Sequence, residues 1–285
     1  MRLLVVGADG QLGSDVVRLL SPTVEVTARV MDELDVTDRA ALRRALEALH
    51  PDVVVNCAAY TAVDRAESEQ DAAYRVNVLG ACNVAQAARR VGARVVYFST
   101  DYVFDGAASE PYDEDAPVGP LSVYGRTKLL GEQVTREANP DHLILRLAWM
   151  YGSTGHNFVR TILRLAREKD QLRIVDDQVG SPTFTEDVVH QLWTAIEEGC
   201  SGTYHCVNAG QASWYAFATH IVHRLGLNVP VIPIQTVDYP TPARRPAYSV
   251  LADRKFTLEE LNGMRSWEDA LDDCLLRYRE ELFHA

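Results

Sequence analysis

The chain has 285 residues, 47% hydrophobic and 24% charged, a globular mixture that excludes a disordered or fibrous protein and one too small to bury a core. At about 150 residues per domain, this length suits one large domain or two modest ones. Forty acidic residues against 28 basic ones give a net charge of -12, so no nucleic acid is expected as partner, although a local loop can still bind a small anion.

The apolar start, Leu3 to Val6, is too short for a signal peptide, and no run of about 18 apolar residues appears. A cytoplasmic chain without a membrane partner is expected. Cys57, Cys82, Cys200, Cys206 and Cys274 are odd in number and scattered, as reduced thiols would be. Cys200, His205 and Cys206 match no zinc spacing, so no metal ligand is assigned.

Strands are predicted at Arg2–Val6, Val24–Val30, Val53–Cys57, Arg94–Ser99 and His142–Leu147, and helices at Gln11–Leu20, Arg39–Leu49, Gln70–Val91 and Tyr124–Glu137. Val53-Val54-Val55 and Val95-Val96-Tyr97-Phe98 are apolar without alternation, so both faces of those strands should be covered. This order predicts an α/β fold, a doubly wound parallel sheet of the Rossmann type, over residues 1–147. After residue 148 the prolines multiply, and 148–285 reads as a smaller α/β substrate-binding region, with later segments free to return to the first. Two helices remain legible there: Ser213 to Leu225, closed by Gly226, and one opening at Ser266 with Asp269.

The first strand runs into Gly7-Ala8-Asp9-Gly10-Gln11-Leu12-Gly13, a G-x-x-G-x-x-G pattern that opens a helix. Glycines there let the backbone turn and approach a pyrophosphate, and the helix N-terminus offers free N–H groups. An acidic residue about 20 positions on would hold the ribose of NAD, and an arginine the 2′-phosphate of NADP. The second strand ends Ala28-Arg29-Val30-Met31-Asp32; Arg29 is nearer the expected place, which favours NADPH over NADH and leaves a solvated arginine as the alternative. Tyr124-Gly125-Arg126-Thr127-Lys128 puts a phenol and an ammonium on one helix face, where the cation would lower the phenol's pKa. Ser99-Thr100-Asp101 ends the fourth strand, where open α/β sheets bind ligands.

With these three elements in order, the chain resembles the extended short-chain dehydrogenase/reductase superfamily. More narrowly it is similar to the dTDP-4-dehydrorhamnose reductase family, through Asn56 to Asp64, Ser99 to Gly106, Tyr124 to Lys128, Arg146 to Trp149, Asp177 to Thr183 and Thr241 to Pro246. The resemblance implies reduction of the C4 ketone of dTDP-4-dehydro-L-rhamnose by NADPH or NADH. Tyr124 would be the proton donor, Lys128 its tuner and the holder of the nicotinamide ribose, and Thr100 the group that positions the keto oxygen. Cofactor contacts would be Gly7, Gly10, Gln11, Leu12 and Gly13 at the pyrophosphate, Asp35 and Val36 near adenine, and Ala58, Ala59 and Tyr60 beside the dinucleotide. Asp101, Tyr102 and Trp149 would line the sugar pocket, with Asn157, Arg244 and Arg245 as diphosphate candidates. The bland alternatives are a core Trp149 and an Arg244 paired with a neighbouring carboxylate.

Some members of the family dimerise around a divalent cation held by glutamates, one of them near Asp15. Aspartate is shorter and the other ligands have no placed counterpart in the sequence, so Mg2+ is possible but not supported, and monomer and homodimer both stay open. Tyr102 stands where related dehydratases carry a glutamate base, which argues against water elimination. Reduction of a different nucleotide keto-sugar and a non-catalytic NADP-binding regulatory subunit remain as alternatives.

Overall fold

Residues 1–283 are described by a computed structural model. The apolar runs become the parallel strands β1 (Arg2–Val6), β2 (Glu25–Arg29), β3 (Val53–Asn56), β4 (Arg94–Thr100) and β5 (His142–Leu147). With β10 (Gly202–His205) they form one six-stranded sheet in the order β10-β5-β4-β3-β1-β2. β2 and β3 lie on opposite sides of β1. The order therefore reverses beside β1 and opens a crevice at the carboxyl ends of these strands.

Both sheet faces are covered, as the unbroken apolar runs require. Leu3 and Val5 of β1 point to one face, where they meet Val16 and Leu20 of α1 (Gln11–Leu20) and Val188 and Leu192 of α8 (Thr185–Glu197). Leu4 and Val6 point to the other, against Leu42 and Leu46 of α2 (Arg39–Leu49) and Val84 and Ala88 of α5 (Ala81–Arg90). Short helices α3 (Val63–Ala66) and α4 (Gln70–Tyr74) follow β3. The single helix expected over 70–91 is instead α4, a widened π turn at Arg75–Gly80, and α5. That turn carries Asn77, and its position is fixed by α6 (Val123–Ala138), which packs against it.

The later chain is mixed rather than irregular. Short pairs join β6 (Met150–Tyr151) to β9 (Thr183–Phe184), β7 (Leu172–Val175) to β12 (Val231–Ile234), and β8 (Val179–Gly180) to β11 (Ala212–Ser213). Around them α7 (Phe158–Glu168), α9 (Trp214–Arg224), α11 (Trp267–Arg277) and α12 (Arg279–Phe283) enclose a second core of Tyr151, Ile162, Phe184, Phe217, Ile221 and Leu271. α10 (Arg254–Leu258) packs on β10. Because β10 extends the sheet and α8 packs on α1, the second half is built onto the first rather than tethered to it. No helix among the described residues is long and apolar enough to cross a membrane.

The seat of α6 decides where its N-terminal turn points. Ser122 caps it, its Oγ accepting the Gly125 amide at 3.1 Å. Deeper in, a Cβ on Gly131 would strike Tyr97 Oη and Asn77 O, so only glycine allows this approach. Glu132, fully buried, receives Arg146 of β5 on both oxygens at 2.9 Å and Arg136 at 2.8 Å. Removing one partner of a buried, hydrogen-bonded pair strands the other charge. Arg146→Met is accordingly expected to cost about 3–5 kcal/mol of folding stability; an unchanged urea midpoint would contradict this account of the seat.

Candidate active site

At the carboxyl ends of β1, β3, β4 and β5 lies a cleft of about 750 Å³. Its lining includes Gly10, Gln11 and Leu12 from the glycine loop, Ala59 from the β3 loop, Thr100 and Asp101 from the end of β4, Tyr124 and Lys128 from α6, and Trp149. Residues from five stretches of sequence thus meet in one cavity.

The glycine loop is tight for identifiable reasons. Gly7 has φ +72°, and a Cβ on it would lie 2.6 Å from Ala58 N; one on Gly13 would strike Gly7 O. Gly10 caps α1 with no side-chain hydrogen bond, so the first N–H groups of that helix stay available. Gln11 Nε2 is buried without a partner. An orphaned donor beside an uncapped helix start fits a bound pyrophosphate. Ala58 N donates to Asn56 Oδ1 at 3.2 Å, which sets the loop that faces the glycines. Val36 is buried against Gly80, while Asp35 is exposed and accepts Thr37 N at 2.8 Å. Arg29 is half-buried at the end of β2, its Nη1 donating to Ala28 O at 2.8 Å. Arg29, Asp35 and Val36 lie outside the lining of the cleft itself.

Tyr124 and Lys128 share the cleft-facing side of α6, as their spacing requires. Burial pushes the Tyr124 phenol up to about 12, against the downward pull of its hydrogen bond with Thr100. Burial likewise pulls the Lys128 ammonium down to about 7, opposed by Glu132 and by Cys57. The sequence expectation is a phenol lowered by the cation; with burial as the largest cause, Tyr124 instead lies above its ordinary value and stays protonated at neutral pH. The Lys128 Nζ stands 4.1 Å from the centroid of the Tyr97 ring.

Thr100 Oγ1 donates to Asp101 Oδ1 at 2.9 Å and accepts the Tyr102 amide at 3.2 Å. Asp101 is buried, its Oδ2 has no hydrogen-bond partner, and burial raises it to about 6 although Ser249 and Thr100 pull it down. Tyr102 stands edge-on to Tyr124 with ring centroids 5.9 Å apart. Trp149 occupies a left-handed backbone position, φ +43°, and stacks on Trp214 with centroids 3.4 Å apart and planes 4° from parallel. It is both a packed residue and a wall of the cleft.

The three diphosphate candidates separate. Asn157 caps α7, and its Nδ2 donates to Gly152 O and Thr154 O, so it fastens the loop whose Gly155 and His156 line the cleft. Arg245 is bidentate to Asp64, making the ion pair that had been allowed for Arg244. Arg244 is exposed, with no ion pair among the described residues.

Sequence reasoning missed Asn77 and Trp214. Asn77 accepts Tyr60 N at 2.8 Å and donates to Tyr60 O at 3.1 Å and to Thr127 Oγ1 at 3.0 Å, tying the β3 loop to α6. A buried asparagine has no periodic signal to announce it. Asp15, the position considered for a cation, is instead bonded to Arg18 at 2.6 Å and Thr185 at 2.5 Å, while Glu186 is taken by Arg18, Arg277 and Tyr278. These carboxylates already have cationic partners, and no cluster of three metal-ligating side chains exists among the described residues. The residues do not fit a divalent cation.

A family model described as RmlD substrate binding domain matches residues 1–280. A dTDP-4-dehydrorhamnose reductase of Burkholderia thailandensis is 43% identical, covering 96% of this chain and 98% of its own. The crystal structure of a dTDP-4-dehydrorhamnose reductase from Clostridium acetobutylicum superimposes with a TM-score of 0.96 at 42% identity, over 98% of this chain and 100% of that one. That of the Bacillus anthracis dTDP-4-dehydrorhamnose reductase in complex with NADP gives 0.95 at 38% identity, over 96% and 98%.

Asp101 carries a pH signature. Between about pH 4 and 6 the folded Asp101 holds a proton that the unfolded one has lost, so stability falls as pH rises through that window. Asp101→Asn removes this slope and should raise stability above pH 6 by about 3 kcal/mol or less. Parallel stability-against-pH curves for the two proteins would contradict it.

Proposed function

This chain belongs to the dTDP-4-dehydrorhamnose reductase family, and from that premise we propose that it reduces the C4 ketone of dTDP-4-dehydro-L-rhamnose with NADPH, giving dTDP-L-rhamnose. The observation that carries the proposal is the meeting of Thr100, Tyr124 and Lys128 in one cleft with the glycine loop. The nicotinamide supplies the hydride to C4.

The chain's own residues do the rest. Backbone N–H groups of Gln11 to Gly13 and the free Gln11 Nε2 hold the pyrophosphate, with Gly10 capping the helix and Gly7 keeping the loop close. Asp35 and Val36 flank the adenine, Arg29 takes the 2′-phosphate, and Ala58, Ala59 and Tyr60 line the dinucleotide's other side. Lys128 binds the nicotinamide ribose. A phenol held near 12 remains protonated until an alkoxide develops beside it, and Tyr124 then donates its proton to O4. Thr100 hydrogen-bonds the same oxygen, so two hydroxyls stabilise the developing charge. Asp101, Tyr102 and Trp149 hold the sugar, and Arg244 reaches the diphosphate.

The test is to offer the purified chain dTDP-4-keto-6-deoxy-L-hexose with NADPH and with NADH in turn and to follow reductant consumption. NADPH is expected to be consumed with the higher kcat/KM; consumption of neither overturns the proposal. Tyr124→Phe should bind NADPH nearly normally and lose about 10²–10⁴-fold in kcat. Full turnover by that variant would remove the proposed donor.

A further inference from the structure

Two stretches named above, Asn56 to Asp64 and Thr241 to Pro246, are joined in the structure across most of the chain. The Arg245 guanidinium sets Nη1 on Asp64 Oδ1 at 3.0 Å and Nη2 on Oδ2 at 2.8 Å. Its Nη1 also donates to Thr241 Oγ1 at 2.5 Å, and the Ala243 amide donates to Asp64 Oδ1 at 3.1 Å. The strap 241–246 is thus closed on itself and on the start of α3 by one fork. Bidentate pairs of this kind fix orientation as well as distance. The pair is only partly open to solvent, with side-chain exposures of 22% for Arg245 and 38% for Asp64.

The fastening sits beside the cleft. Val63, next to Asp64, lines it. Tyr102 lies in the segment that follows β4, and its ring stands edge-on to Tyr124 at 77°. Pro246 is seated where a Cβ on Gly106 would come within 2.6 Å of it, so the strap also closes over the turn that follows β4.

We propose that Asp64 and Arg245 act as one positioning device, fastening the strap 241–246 to the dinucleotide-binding half and, through Pro246 on the segment after β4 that carries Tyr102, fixing the ring of Tyr124 for the approach of the keto-sugar. The proposal rests on Tyr124 as proton donor. Neither residue touches the reacting atoms. Their effect falls on turnover rather than on cofactor affinity, because neither Asp64 nor Arg245 borders the glycine loop. Since the two act as a unit, losing either is equivalent to losing both.

The test compares Asp64→Ala, Arg245→Gln, their double variant and Arg245→Lys with the parent chain. Amide exchange at Ala243 and along the strap is measured without substrate, together with NADPH affinity and kcat and KM for the dTDP-4-keto-6-deoxy sugar. Each single variant should speed exchange at Ala243 and lower kcat by about tenfold, with NADPH affinity unchanged, and the double variant should be no worse than the poorer single one. Arg245→Lys, which keeps the charge and loses the fork, should recover only part of kcat. Unchanged exchange in both single variants, losses that multiply in the double variant, or an equal loss of NADPH affinity would each overturn the proposal. If the parent chain consumes no reductant, that failure belongs to the proposed function, and the exchange at Ala243 alone decides whether the strap is fastened by this pair.

Discussion

Gly131 brings α6 so close to the sheet that a Cβ there would strike Tyr97 Oη and Asn77 O, and one residue later the Glu132 carboxylate takes both arms of Arg146 from β5. Close approach and a buried ion pair together leave the helix one position across the ends of β4 and β5. Tyr124 and Lys128, two turns and one turn before Glu132, then have a single direction in which to project, toward the crevice beside β1. The constraint reaches outward from there. Asn77, held against α6 in its widened turn, grips both backbone polar groups of Tyr60, so the loop facing the glycines is set by the same contact.

Desolvation governs the chemistry of the site. Lys128 is buried, has no ion-pair partner within 4 Å among the described residues, and rests over the face of Tyr97, so its ammonium is held at a cost. Tyr124 and Asp101 are pushed the other way, toward their protonated forms. A cleft whose buried Tyr124 and Asp101 keep their protons suits a reaction in which negative charge appears briefly on a substrate oxygen and is quenched by a ready proton. Such a site trades stability for function: Asp101 would fold more favourably as an amide, and Gln11 Nε2 stays unbonded in the free protein.

The central sheet was legible because its signal is local. Unbroken valine runs require two covered faces, and a glycine loop between strand and helix has few other uses. Tyr124 and Lys128 were legible as a pair because four residues on a helix is a fixed geometry. In the later half only α9 and α11, capped by Ser213 and Ser266, were legible, since β6, β8, β9 and β11 are two residues each and carry no periodicity. The π turn at 75–80 has no signal of its own in the sequence, and the Gly131 that packs against it at Asn77 lies some 50 positions on in another helix. Arg244 and Arg245 could not be told apart by type; Asp64 decides between them, and only the fold brings it near. Trp149 was recognised but not its stacking partner Trp214, which opens α9, 65 positions later.

The claim on which the account turns is that the phenol of Tyr124 and the nicotinamide ring occupy one cleft. A crystal structure of this chain with NADP bound tests it most directly. The account predicts the pyrophosphate on the N-terminus of α1, with Gln11 Nε2 engaged, and the reactive carbon of the ring within about 5 Å of Tyr124 Oη, the separation left for one ketone between them. A nicotinamide turned out of the cleft, or a Tyr124 phenol screened from it by protein, would contradict the account.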